Sequence, residues 1–179
     1  MITIVEKEIP GSMEIPSRDG IMRFVRPRSG GNKATYAFND FFKQYYFFNG
    51  ACPRYMVMLE EYGTDDSFIS YVFEARGMDL TAISCTEHTS NGTTAFSAGY
   101  PYLRLPADKE RHTEWEYSIS REISVRCRAE FRKTVTGCEI LKVTRQMMYT
   151  DSRVKDINAM CEYYLPGSGI VRIECSKPL

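Results

Sequence analysis

Cys85 and His88, in "CTEHTSNG", are the closest pairing of chemically capable side chains in the sequence. A Cys-x-x-His spacing can supply half of a zinc site. It also sets a thiol near a base, as nucleophilic catalysis requires. A structural zinc needs four ligands, and no second closely spaced pair follows. Only His112, in "ERHTEWE", or a distant cysteine would complete the set. The ordinary reading of His88 is a polar loop histidine, and we expect no metal and no cofactor.

A second cluster lies in "RFVRPRSGGNK". Arg23, Arg26, Arg28 and Lys33 surround two glycines ahead of an expected helix, an arrangement that can hold a phosphate or carboxylate at a helix N-terminus. The G-x-x-x-x-G-K-[ST] spacing of a P-loop is absent, and the ordinary reading is a basic loop. Carboxylates in "EEYGTDD" and "ADKERHTEWE" have the look of solvated turns. Nothing assembles a nucleophile, a base and an oxyanion site. An enzyme using Cys85 and His88 is therefore the third of three functional readings.

Positioning these residues requires a scaffold, and its grammar is mostly β. "RYMVMLEEY" and "FISYVFEA" flank "GTDDS" and read as a hairpin. "LTAISC", "AFSAGYPYLRL", "CEILKVTRQMMY" and "GIVRIEC" read as further strands, as do "TIVEKEI" and "IMRFVR" nearer the start. Asn91-Gly92 marks a tight turn. Two stretches read as helices. Residues 35–48 carry eight aromatics between Tyr36 and Phe48, with Thr35 as cap and Asn49-Gly50 as stop. Residues 152–164 place Val154, Ile157, Met160, Cys161 and Tyr164 on one stripe, stopped by Pro166-Gly167. The expectation is one α+β, β-rich domain over residues 1–179: a mostly antiparallel sheet or barrel of about nine strands with two helices.

"EWEYSISREISVRCRAEFR", residues 114–132, holds a two-residue period for nineteen residues. Even positions are polar and odd positions are apolar except Arg121. At about 3.3 Å per residue the run would span roughly 60 Å. It contains no Gly, Pro, Asn or Asp, which argues against a tight internal turn. The stretch is then two strands across a bend, one bent strand, or a strand that reaches another chain. If two copies pair antiparallel about Arg121, Glu114 faces Arg128, Glu116 faces Arg126, His112 faces Glu130 and Glu110 faces Arg132. That is a self-complementary two-fold contact. The plainer reading is a solvated face with mixed charges.

Composition narrows the rest. Lysine plus arginine equals aspartate plus glutamate, 23 against 23, so no net charge draws the chain to nucleic acid or an anionic membrane. Aromatics at 13% argue against disorder. No apolar run approaches the roughly 20 residues of a membrane helix, and no secretory signal is visible. A cytoplasmic location and reduced, mostly buried cysteines are expected for the six thiols. "YVFEARGM" followed by "YLRLPADK", with "DSRVKDINAM" and "GSGIVRIE" later, resembles the small β-rich linker domain of phycobilisome linker proteins over less than a third of the chain. That resemblance implies a role in assembly, although the spacing departs from that domain's.

The first functional expectation is thus a non-enzymatic structural or assembly protein. It would contact copies of itself or subunits of a larger complex, as in a viral or phage particle. The alternative is a small-molecule-binding β-barrel lined by Trp115, Tyr117, Phe131 and the Met- and Tyr-rich strands. The state of the interior discriminates between them.

Overall fold

The computed structural model describes residues 20–26, 33–37, 42–49, 52, 54–62, 66–107, 111–151 and 159–176. A four-residue helix, α1 (Met22–Val25), comes first, where the sequence suggests a strand. The strands follow: β1 (Lys33–Ala37), β2 (Phe42–Phe48), β3 (Tyr55–Tyr62), β4 (Phe68–Arg76), β5 (Asp79–Thr89), β6 (Gly92–Ala95), β7 (Tyr100–Arg104), β8 (His112–Ser118), β9 (Ile123–Lys133), β10 (Glu139–Tyr149), β11 (Ala159–Leu165) and β12 (Gly169–Ser176). Every strand pairing among them is antiparallel. The β-rich antiparallel expectation holds, with twelve described strands rather than about nine.

The strands form two sheets rather than a closed barrel. One runs β1-β2-β3-β4-β5-β6, with β7 also on β5, and the other runs β12-β11-β10-β9-β8. Strand β5 divides its edge: Asp79–Ala82 pairs β7 and Thr86–Thr89 pairs β6. Both sheets turn apolar faces to one core. Tyr46, Phe48, Met56, Met58, Tyr71 and Phe73 come from the first, and Tyr117, Val125, Cys127, Leu141, Val143 and Ile173 from the second.

The helix expected over 35–48 is instead β1 and β2 wherever residues are described. Aromatic side chains suit a pleated surface as well as a helix. Here pairing decides, because Tyr46 lies across from Met58 and Phe48 from Met56 on β3. The helix expected over 152–164 is also corrected. Residues 159–164 belong to β11, paired on both sides, and 152–158 lie outside the described residues. The stripe's described residues mix two faces: Met160 and Tyr164 share the parity of the buried Glu162, while Cys161 lies on the other face with Tyr163. Pro166-Gly167 ends a strand, in the β11–β12 turn. "TIVEKEI" lies outside the described residues.

Residues 114–132 resolve into a hairpin. Glu114 pairs Arg128, Glu116 pairs Arg126 and His112 pairs Glu130, as the two-fold register requires, but within one chain. Glu110 falls outside the described residues. The turn does without glycine or proline. The Ser120 hydroxyl accepts from the Glu122 amide at 3.2 Å, and the Ile119 amide donates to the Ile123 carbonyl. From β10's end, the Thr150 amide donates to the Glu122 carbonyl at 2.9 Å. Arg121 breaks the alternation because it sits in this turn.

Helix α1 ties the two sheets together at one end. The Ile21 amide donates to the Gly77 carbonyl in the β4–β5 turn, and the Gly167 amide donates to the Arg23 carbonyl. The Tyr36 hydroxyl of β1 donates to the Ser168 carbonyl at 3.1 Å. Gly169 has φ +77°, and a Cβ there would run into the Tyr36 hydroxyl and the Val25 carbonyl. Gly137 has φ +83° but faces open space. Both positions resist a side chain by roughly 1–2 kcal/mol through backbone conformation. We expect Gly169→Ala to lose clearly more stability in urea unfolding than Gly137→Ala. Equal losses would show that the Tyr36 contact is not tight.

Candidate functional site

The residues singled out from sequence do not converge. Cys85 is buried and faces Tyr71 across β4, whereas His88 lies opposite Phe68. An odd spacing along one strand puts the two on opposite faces. His88 stacks on Phe68 and sits 2.9 Å from the Ser70 hydroxyl instead. Burial pushes the Cys85 thiol up, away from the reactive thiolate. Among the described residues no group of three or more His, Cys, Asp or Glu is placed to hold a metal ion.

The basic cluster also disperses. Arg23 reaches Glu139 at 3.4 Å, Arg26 lies over the Phe48 ring, and Lys33 lies near the Tyr45 and Phe47 rings. Arg28 is outside the described residues. The outer face of the β8–β9 hairpin is a ladder of exposed ion pairs: Arg128 to Glu114 at 3.0 Å, Arg126 to Glu116 at 3.6 Å and Arg132 to Glu130 at 2.7 Å. A shallow cleft of about 380 Å³ beside it is lined by Arg111, His112, Arg128, Glu130, Phe131 and Arg132. Burial raises the Glu130 pKa, but its hydrogen bond to Arg132 and the nearby cations outweigh this and hold it below the usual range. Exposed pairs of this kind contribute about 0–1 kcal/mol each. The ladder's charges are answered within the hairpin.

The unusual chemistry is inside. Inward positions along β10 are Leu141, Val143 and Arg145, and the last is 4% exposed. Its guanidinium crosses to the other sheet. Nη1 donates to the Tyr102 carbonyl of β7 at 2.7 Å and to Cys127 Sγ at 3.5 Å, while Cζ lies 4.1 Å from the Tyr102 ring centre. Nε donates to Glu162 Oε2 at 3.1 Å, and Glu162 on β11 is fully buried. The Tyr164 hydroxyl donates to the same oxygen at 2.7 Å. Burial works against the Arg145 charge, but Glu162 outweighs it and keeps the guanidinium protonated.

A second chain of hydrogen bonds belongs to the first sheet. The Tyr46 hydroxyl donates to Gln44 Oε1 at 3.0 Å, and Gln44 Nε2 donates to Glu60 Oε2 at 2.6 Å. Gln44 and Glu60 are also buried. The two chains share one field. Burial raises the Tyr46 pKa most, and Glu162 and Glu60 raise it further while Arg145 opposes. Tyr102 and Tyr164 are pushed up for the same first reason, so these phenols stay protonated donors.

Two atoms of this centre are left over. Arg145 Nη2 and Glu162 Oε1 are buried and have no hydrogen-bond partner among the described residues. The pair meets through one arm only, and each residue keeps an unused arm. A buried charged group left partly unsatisfied costs on the order of 1–3 kcal/mol, and orphaned buried polar atoms are rare in native proteins.

Sequence reasoning missed Arg145, Glu162, Gln44 and Glu60. A signal existed for two of them. Arg145 continues the inward parity of Leu141 and Val143, and Glu60 that of Met56 and Met58, so each is a charge at an apolar position. Glu162 gave none, because its segment was read with helical period.

The chain was compared with protein-family models, curated proteins and solved structures, and none matches. Among the described residues no helix is long and apolar enough to cross a membrane.

The coupling within the pair is testable. Arg145→Met leaves Glu162 buried without its cation and should cost about 3–5 kcal/mol. The double variant Arg145→Met, Glu162→Leu should recover most of that loss in urea unfolding. Additive losses would show that the two charges do not depend on each other.

Proposed function

We propose that the chain is a non-enzymatic binding module whose interior, between the two sheets, receives a small molecule at the Arg145–Glu162 centre. One observation carries this reading: a buried cation and a buried carboxylate each keep a polar atom without a partner. A protein that needed only a rigid core would be served as well by apolar residues in their place, since buried ion pairs add little net stability. Ligand sites combine apolar and aromatic walls with a few placed polar groups. Trp115 and Tyr117 are buried in this interior, and Phe131 packs on its margin. The raised Cys85 and Cys127 thiols, both shifted first by burial, do not favour thiol catalysis.

Native mass spectrometry of the purified chain tests the reading. The expected result is a mass above that of the chain alone, with the excess released on denaturation. The excess should vanish in the Arg145→Met, Glu162→Leu variant. A native mass equal to the chain's, together with a crystal structure showing only water at the pair, would overturn it.

Assembly through a second copy is the other reading, and strand β8 favours it. It ends its sheet's strand order and pairs only with β9 among the described strands, and a strand without a second neighbour can pair with another chain. Charge reversal in the ladder is a poor probe, because it damages the hairpin itself. Light scattering should instead show a dimer, with amides of residues 112–118 gaining protection from hydrogen exchange as it forms. A monomer at all concentrations removes this reading.

A further inference from the structure

We infer that the ligand group bound at Arg145 and Glu162 is flat and uncharged, with a hydrogen-bond donor beside an acceptor, as in a cis-amide, a lactam or a cyclic urea. This rests on the binding role proposed above and names the chemistry that role selects.

The unused atoms set the complement. A guanidinium only donates and an ionised carboxylate only accepts. The free Nη2 therefore calls for an acceptor, and the free Oε1 for a donor. Their parent groups are joined by the 3.1 Å Nε to Oε2 bond, which makes the two open valences near neighbours. Oε2 and Nη1 are already engaged, by Tyr164 and by the Tyr102 carbonyl.

Charge balance argues for neutrality. Arg145 and Glu162 cancel, and an ion added to this buried centre would lack a counter-charge from the pair. Glu60, bonded to Gln44, works further against an anion. A cation would meet the guanidinium.

Shape points to a planar group. The guanidinium lies over the Tyr102 ring, which is 4.8 Å from Phe73 and 5.6 Å from Tyr71. Tyr100 and Tyr117 stack across the two sheets at 4.1 Å. Such faces stack on flat groups more readily than they pack bulky saturated ones.

A site with fixed donor and acceptor rejects an analogue missing one of them, because its own group is then stranded. The test uses four probes on the full chain after exhaustive dialysis: 2-pyrrolidinone, N-methyl-2-pyrrolidinone, acetate and methylammonium. Backbone amide shifts in β10 and β11 are followed by NMR. 2-Pyrrolidinone should shift them saturably, and its N-methyl analogue, which lacks the donor, should bind about tenfold more weakly or worse. The Arg145→Met, Glu162→Leu variant should show neither response. Equal binding of the N-methyl analogue, or tighter binding of acetate or methylammonium, overturns the chemical class and leaves the binding role standing. If no probe shifts these amides, a resident water satisfies the pair and both proposals fail.

Discussion

Arg145 is a buried charge that binds both sheets at once. It starts on β10 of one sheet, bonds the Tyr102 carbonyl of the other, lies on that residue's ring and holds the buried Glu162. Apolar contacts resist sliding weakly, because the hydrophobic effect is not directional. A charged donor bonded to a fixed carbonyl sets both distance and angle. The guanidinium therefore fixes where Tyr102, which packs on Phe73 and Tyr71, sits against β10. Trp115, donating to the Pro101 carbonyl at 2.7 Å, repeats the device nearer the edge.

The tyrosines follow from the same constraint. A buried charge needs polar neighbours, yet the core must remain mostly apolar. Tyrosine supplies both, with a large ring for burial and one hydroxyl for a bond. Tyr164 bonds Glu162, and Tyr46 bonds Gln44. The thiols of Cys85 and Cys127 face this interior as well, raised by burial before any other cause. They behave as small apolar fillers rather than nucleophiles.

How much of this was legible depended on whether local pattern and tertiary pairing agreed. The β3–β4 hairpin and the Asn91-Gly92 turn were readable, because turn residues sit between runs that suit strands. Residues 35–48 misled, since aromatic spacing near 3.6 can also be met by two strands joined by a loop. Residues 159–164 misled because the half-buried Cys161, on the opposite face from Met160 and Tyr164, completes a helical spacing with them. The 114–132 stretch is subtler. A register that is palindromic about one residue has the same pairs whether it closes in one chain or between two. Only the turn distinguishes them, and here the Ser120 hydroxyl and a clamp from Thr150 replace the usual turn residues.

Arginine and glutamate appear twice in this fold with opposite consequences. On the β8–β9 face they pair in water, where screening and side-chain entropy leave little net energy. Between the sheets the same two residue types are desolvated, and each unfilled valence carries a penalty that solvent cannot relieve. Composition counts the two settings alike, 23 cations against 23 anions. The parity of a strand decides which setting a residue enters: Arg145 lies inward with Val143, while Arg128 lies outward between Cys127 and Ala129. A search for function in such a chain is better directed at charges on the wrong parity than at the conspicuous charges on the right one. By that criterion the interior pair, rather than the ladder conspicuous in the sequence, is the place to test for a bound ligand.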